Sequence, residues 1–182
     1  MSRNSALPEH MRAALATGYG GPELVRIMEV PLPKRKPGML LVRVAATAVN
    51  TADTRTRSLQ AAEPLRTLMR LLLGFSRPRQ PILGTVFAGT VAALSPGVDG
   101  FKVGDRVFGS SPGMRYGCHA EYVAVPASGP VASMPSSMGF VEAAALPFGG
   151  TTALYFLEKY KAAAGESILV NGAAGAVGSM AV

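Results

Sequence analysis

The sequence predicts a mainly β barrel with short helices, followed by the first β–α element of an α/β domain. Three observations carry this. Up to about residue 135 the chain breaks into short β-rich runs separated by glycine and proline turns. After Met138 it becomes alanine-rich and helical. Near its end a short apolar run leads directly into Asn171-Gly-Ala-Ala-Gly-Ala-Val-Gly178.

Composition bounds what such a fold does. With 182 residues, 48% hydrophobic and 16% charged, the chain buries a real core, and disorder is excluded as its main state. The single cysteine, Cys118, rules out an intrachain disulfide and a four-cysteine zinc site. The only histidines are His10 and His119, which argues against a conventional zinc centre. The N-terminus, MSRNSALPEHMR, lacks an apolar secretory core. The uncharged window Tyr122–Val141 holds Pro126, Pro130 and Pro135, so it is no membrane helix. A soluble cytoplasmic protein is expected. The net charge of +7 is concentrated in residues 1–80, where 13 basic side chains face 5 acidic ones. The aromatic residues do not interleave with these charges, so no nucleic-acid platform is expected.

Each element follows from local pattern. Met11–Thr17 is apolar and runs into Gly18-Tyr-Gly-Gly-Pro22, a turn. Leu24–Val30 alternates and pairs back as a hairpin. Met39–Val49, Thr85–Leu94, Val103–Phe108 (with a tight turn at Gly104-Asp105) and His119–Val125 are further strands. Asn50–Arg57 is one short turn of helix. Ala61–Phe75 places Leu65, Leu68, Met69 and Leu72 at helical spacing, with Arg66 and Arg70 on another face. Such a helix either lies on a membrane surface or packs on the barrel as a lid with its arginines in water. The packed lid is the expectation, and no membrane partner is expected. Phe140–Leu146 is helical and Pro147-Phe-Gly-Gly150 breaks it. Thr151–Ala164 is a second helix stopped by Gly165, and Ser167–Val170 is a buried strand.

That strand, the glycine-rich turn and the helix beginning at Ser179 form the opening of a dinucleotide-binding Rossmann unit. Ala173-x-Gly175-x-x-Gly178 fits G-x-G-x-x-G with alanine first. Small residues admit a pyrophosphate close to the backbone, and free N–H groups at the helix start bind its charge. Gly175, Ala176, Val177 and Gly178 are therefore cofactor-binding candidates, through backbone rather than side chain. The residue that selects between ribose hydroxyl and 2′-phosphate falls beyond Val182. One strand and part of one helix cannot bury both faces of a doubly wound sheet, so a truncated chain is expected.

The sequence resembles the zinc-independent, quinone oxidoreductase-like branch of the medium-chain dehydrogenase/reductase superfamily. The resemblance runs from Met11 to Val182. It is carried by Gly18-Tyr-Gly-Gly-Pro-Glu23, Leu41-Val-Arg-Val, Ala48-Val-Asn50-Thr-Ala-Asp53, Gly84-Thr-Val-Phe-Ala-Gly89-Thr-Val91 and Gly100-Phe-Lys-Val-Gly-Asp-Arg-Val-Phe108. Ala120-Glu-Tyr-Val123, Glu142-Ala-Ala-Ala-Leu-Pro147 and Asn171–Gly178 complete it. It implies a GroES-like substrate domain over residues 1–147 and the incomplete start of a Rossmann domain over 148–182. Zinc-using relatives have cysteine where Asn50 stands and Gly-His-Glu where Gly84-Thr85-Val86 stands. No zinc or other metal is therefore expected. Without a metal electrophile, hydride addition to an activated acceptor such as a quinone or enone is favoured over reduction of a simple ketone.

The resemblance also assigns roles. Asn50 matches an asparagine beside nicotinamide and substrate and is the catalytic candidate. It is neutral, able to donate and orient but not to act as a base, or it merely caps the helix. Asp53 follows as part of the same turn or as a solvated helix-start carboxylate. Thr152 matches a threonine that contacts the nicotinamide amide, or it bonds its own helix backbone. Relatives often place tyrosine where Arg55 stands, which leaves no evident proton donor. Tyr19 and Tyr122 are within reach of a pocket, though Tyr122 in a strand suits the core. Cys118 and His119, adjacent in a strand, point to opposite faces and are read as structural. The expected function is hydride transfer from NADP(H), rather than NAD(H), to a small quinone or enone, by a homodimer. The alternative is a non-catalytic GroES-like module that acts only through a partner chain.

Overall fold

The computed structural model describes residues 7–59, 62–113 and 116–182; residues 1–6, on which the N-terminal reading largely rests, and Ala61 lie outside them. The predicted hairpin is present as β1 (His10–Ala16) and β2 (Val25–Pro31), paired antiparallel around a short 3-10 turn at Pro22–Leu24. β3 (Met39–Ala46), β4 (Val86–Leu94), β5 (Arg106–Ser110), β6 (Tyr122–Pro126) and β7 (Val131–Ser133) form an antiparallel sheet in the order β6-β3-β4-β5-β7. Isolated bridges Ala13–Ala120 and Leu15–Ile82 tie the hairpin to the loops of this sheet. β7 was not foreseen. Its three residues are too few for an alternation to register.

Period-two patterning builds the core. On β4, Phe87 and Val91 face one side and join Leu40, Val42, Val107, Cys118, Val123 and Val125 in one cluster. Ala88 faces the other side and meets Met134, Ala143 and Ala144. Each β4 residue shifted by one position moves from one cluster to the other, which fixes the register.

Three helices and one short helical turn complete the chain: α1 (Thr51–Ser58), α2 (Leu65–Leu73), α3 (Phe140–Lys159) and α4 (Gly178–Ala181). α3 corrects the expected break at Pro147. One helix runs through Pro147-Phe-Gly-Gly150. Proline there forfeits one backbone hydrogen bond, and the two glycines cost about 1 kcal/mol each. Burial overrides these local penalties, because Ala143, Ala144, Pro147, Gly149 and Ala153 form a small-residue stripe seated on the sheet and the glycine-rich turn. Thr151 and Thr152 donate their hydroxyls to the carbonyls of Pro147 and Phe148. Arg106 pins the start of α3, donating to the Met138 carbonyl at 2.6 Å and lying 4.8 Å over the Phe140 ring. By length and composition alone α3 also suits a membrane span. Its buried side is the small-residue stripe, while Val141, Leu154, Tyr155 and Phe156 are exposed.

Two further expectations change. Residues 167–170 form no strand and pair with no segment among the described residues, and Leu169 is 94% exposed. A parallel strand is stable only with neighbours beside it and cover on both faces. α2, expected as a packed lid, buries none of its residues. Only Met69 and Leu73 are half-buried.

Candidate active site

The site grows from the start of α1. Asn50 is the N-cap, extended at φ −127°, and its Oδ1 accepts from the amides of Ala52 (2.8 Å) and Asp53 (3.4 Å). Asp53 Oδ2 accepts in return from the Asn50 amide at 3.0 Å, closing a capping box. Asn50 Nδ2 donates to Thr85 Oγ1 at 2.7 Å. Thr85 is held just before β4 by the bond from the Ser111 amide to its carbonyl. Among the described residues, one Nδ2 hydrogen of Asn50 and the hydroxyl proton of Thr85 thus have no acceptor and can donate elsewhere. Both readings of Asn50 are compatible in one residue: its oxygen caps the helix while its nitrogen stays available. Thr85 is the member that sequence reasoning missed. It had been noted only as the absence of a histidine, and a lone Thr at a strand start carries no signal of its own.

Asp53 is not a solvated carboxylate. It is 3% exposed, and its Oδ1 accepts from the Gly84 amide at 3.2 Å. His119 Nε2 stands 3.9 Å from its Oδ2. Asp53 therefore joins α1, the Gly84 turn and the segment at His119. Cys118 faces the core and His119 faces Asp53, although neither lies in a strand: the expected strand starts later, at Tyr122, and His119 sits in a bend. Burial, with the Asp53 charge adding, pushes the Cys118 thiol up to about 12. The folded thiol therefore stays protonated at pH 8, and we expect Ellman's reagent to label it only at the rate of unfolding. An unfolded thiol ionises near 9, so this group lowers folding stability as pH rises from there toward 12. Rapid labelling of the native chain at pH 8 would contradict the burial.

Arg55 is exposed. On another side of α1 the Thr56 and Tyr116 hydroxyls lie 3.0 Å apart. Tyr19 donates to the Gly74 carbonyl at 2.9 Å, and Tyr122 is half-buried in β6. Thr152 donates to Phe148 O at 2.7 Å and so satisfies its helix, with its oxygen lone pairs left to accept.

A cleft of about 710 Å³ runs along α3 and the glycine-rich turn and reaches α1 at Thr51; Asn50, Asp53 and Thr85 do not line it. Thr51, beside Asn50, lines it together with Phe148, Tyr160 and the turn residues Gly175, Ala176, Val177 and Gly178; Thr152 does not line it. The amides of Ala176, Val177 and Gly178 make no hydrogen bond within the described residues. A Cβ on Gly178 would collide with the Gly172 carbonyl, so the turn closes only around glycine there. A Cβ on Gly149 would strike the Ala176 carbonyl, which fixes how closely α3 approaches the turn. The small backbone cradle and its free amides suit a pyrophosphate.

An antiparallel β domain carrying this capped turn, followed by α3 and a glycine-rich turn, is the arrangement of a GroES-like domain with the start of a second unit. Residues 36–136 match the alcohol dehydrogenase GroES-like domain, and the chain belongs to that family. A 2-methylene-furan-3-one reductase from Solanum lycopersicum is 32% identical over 188 residues, covering 100% of this chain and 45% of the relative. A quinone oxidoreductase structure from Coxiella burnetii superposes with a TM-score of 0.81 at 28% identity, covering 94% of this chain and 52% of that one. A mycobacterial protein solved in complex with NADPH superposes with a TM-score of 0.75 at 33% identity, covering 94% and 47%. The chain spans about half the length of the curated relatives it matches. The resemblance to the medium-chain dehydrogenase/reductase superfamily and the barrel-plus-Rossmann fold class are borne out.

Proposed function

We propose that this chain forms the substrate side, and the first cofactor contacts, of an NAD(P)H-dependent reductase that adds hydride to a quinone or α,β-unsaturated carbonyl. The observation that carries this is the shared cleft, onto which Thr51 at the start of α1 and the Gly175–Gly178 turn both open. A bound nicotinamide supplies the hydride. The amides of Ala176, Val177 and Gly178 would hold the pyrophosphate; a contact of Thr152 with the carboxamide is carried by the resemblance alone, since Thr152 bonds within α3 and does not line the cleft. Asn50 Nδ2 and the Thr85 hydroxyl would donate to the acceptor oxygen as negative charge gathers on it. Neither group is a base, so they orient and stabilise without removing a proton.

Chemistry without zinc is part of the same proposal. The two positions at which zinc-using relatives carry cysteine and histidine hold an amide and a hydroxyl bonded to each other. Neutral oxygen and amide donors make a poor site for Zn²⁺. Among the described residues no three His, Cys, Asp or Glu side chains converge. The division at residues 147 and 148 and the homodimer are carried by the resemblance, and the cytoplasmic location by the composition. The NADPH-bound neighbour supports the preference for NADP(H).

An NADPH fluorescence titration of the 182-residue chain tests the reading. Saturable binding, followed by NADPH consumption with an enone or quinone, is the expected result. A folded chain that leaves NADPH fluorescence unchanged favours the non-catalytic module.

A further inference from the structure

We propose that α2 and the loop after it are a docking surface for an anionic lipid surface. The helix keeps an apolar stripe that the barrel does not cover. Leu65, Leu68, Leu71 and Leu72 are 50–60% exposed, and Phe75 just beyond the helix is 73% exposed. A helix packed as a lid turns such a stripe inward; here Met69 and Leu73 make the half-buried side and the other leucines point to solvent. The apolar surface continues past the helix. Phe75, Met28 of β2 and Leu15 of β1 line one hollow of about 700 Å³ with Arg77 and Arg79 at its edge.

Charge selects the occupant. No acidic residue occurs from Pro64 to Val98, while Arg66, Arg70, Arg77 and Arg79 fall within fifteen residues of chain, 65–79. Arg66 is paired with Glu63 at 2.7 Å. Arg70, Arg77 and Arg79 have no ion pair among the described residues. An apolar stripe beside several arginines and no carboxylate is the composition of an interfacial helix. At physiological salt the Debye length is about 8 Å, comparable to the width of a helix. Cations on the far side of α2 therefore still feel a charged surface beneath it. One anchor holds the element in place: Tyr19 donates to the Gly74 carbonyl, which fastens the end of the helix to the turn of the hairpin. The exposed apolar residues around the unpaired segment 167–170 form a separate surface, on the side of α3 and the glycine-rich turn.

Vesicle co-sedimentation of the 182-residue chain decides the matter. The chain should partition onto vesicles containing phosphatidylglycerol at least about tenfold more strongly than onto phosphatidylcholine alone, and salt should weaken the difference. Leu68→Glu with Leu71→Glu should reduce partitioning on the order of a hundredfold. These side chains are exposed, so unchanged far-ultraviolet circular dichroism is expected. Arg77→Gln with Arg79→Gln should cost about tenfold on anionic vesicles and nothing on neutral ones. Equal, salt-insensitive binding to both lipids overturns the proposal, as does absence of binding by the folded chain. Light scattering that shows a dimer dissolved by the leucine substitutions, with no vesicle binding, assigns the stripe to a second copy of the chain and equally overturns it.

Discussion

Asp53→Ala is expected to remove about 3–5 kcal/mol from the folding free energy, the cost of deleting one partner of a buried charged network. Two amides lose their acceptor at once, that of half-buried Asn50 and that of buried Gly84. The capping box opens as well, worth about 1 kcal/mol by itself. Asp53→Asn keeps an acceptor oxygen and should recover about half of the loss. Urea denaturation of the three chains measures this. Hydrogen exchange of the Gly84 amide gives a local check, since it should quicken in both variants and most in the alanine one. A loss below about 1 kcal/mol for Asp53→Ala would mean that the carboxylate is dispensable to the turn.

The second large effect concerns the glycine-rich turn. Gly178→Val places a branched side chain where even a Cβ meets the Gly172 carbonyl. The turn must open, and the free amides of Ala176, Val177 and Gly178 lose their common direction. We expect NADPH affinity to fall by at least about a hundredfold, the scale of losing two charge-assisted hydrogen bonds. The barrel core lies in other residues, so its denaturation midpoint should stay put. Unaltered NADPH binding in the valine variant would remove the turn from the cofactor site. A lowered midpoint would instead show that the turn supports the barrel.

The barrel was legible because β-rich apolar runs between glycine and proline turns write each strand into its own residues. Leu40, Val42, Phe87 and Val91 announce their core face without reference to anything distant. The cap at Asn50 was legible for the same reason, being a local hydrogen-bond problem with few solutions. What escaped was set by partners far along the chain. Pro147 and its glycines look like a break until Ala143, Ala144 and Gly149 are seen seated on other elements. Asp53 looks solvated until Gly84, 31 residues later, closes over it. Thr85 had no signature at all before Asn50 was placed against it. The leucines of α2 carried the right period, and period alone does not say whether a stripe meets protein or solvent. The segment 167–170 shows the converse: a strand-like sequence forms no strand without a neighbour to pair with.

The sheet order has an evolutionary corollary. β3 and β4 are adjacent at its centre, yet residues 47–85, with α1 and α2, lie between them in the chain. Closing a flexible loop costs only about 0.6 kcal/mol more for each doubling of its length. Insertions and deletions away from the two anchor points, Asn50 and Thr85, therefore burden the barrel very little. The same excursion can be lengthened, shortened or recoloured while the Asn50–Thr85 pair at its ends stays in register. Variation along this excursion is thereby decoupled from the stability of the scaffold.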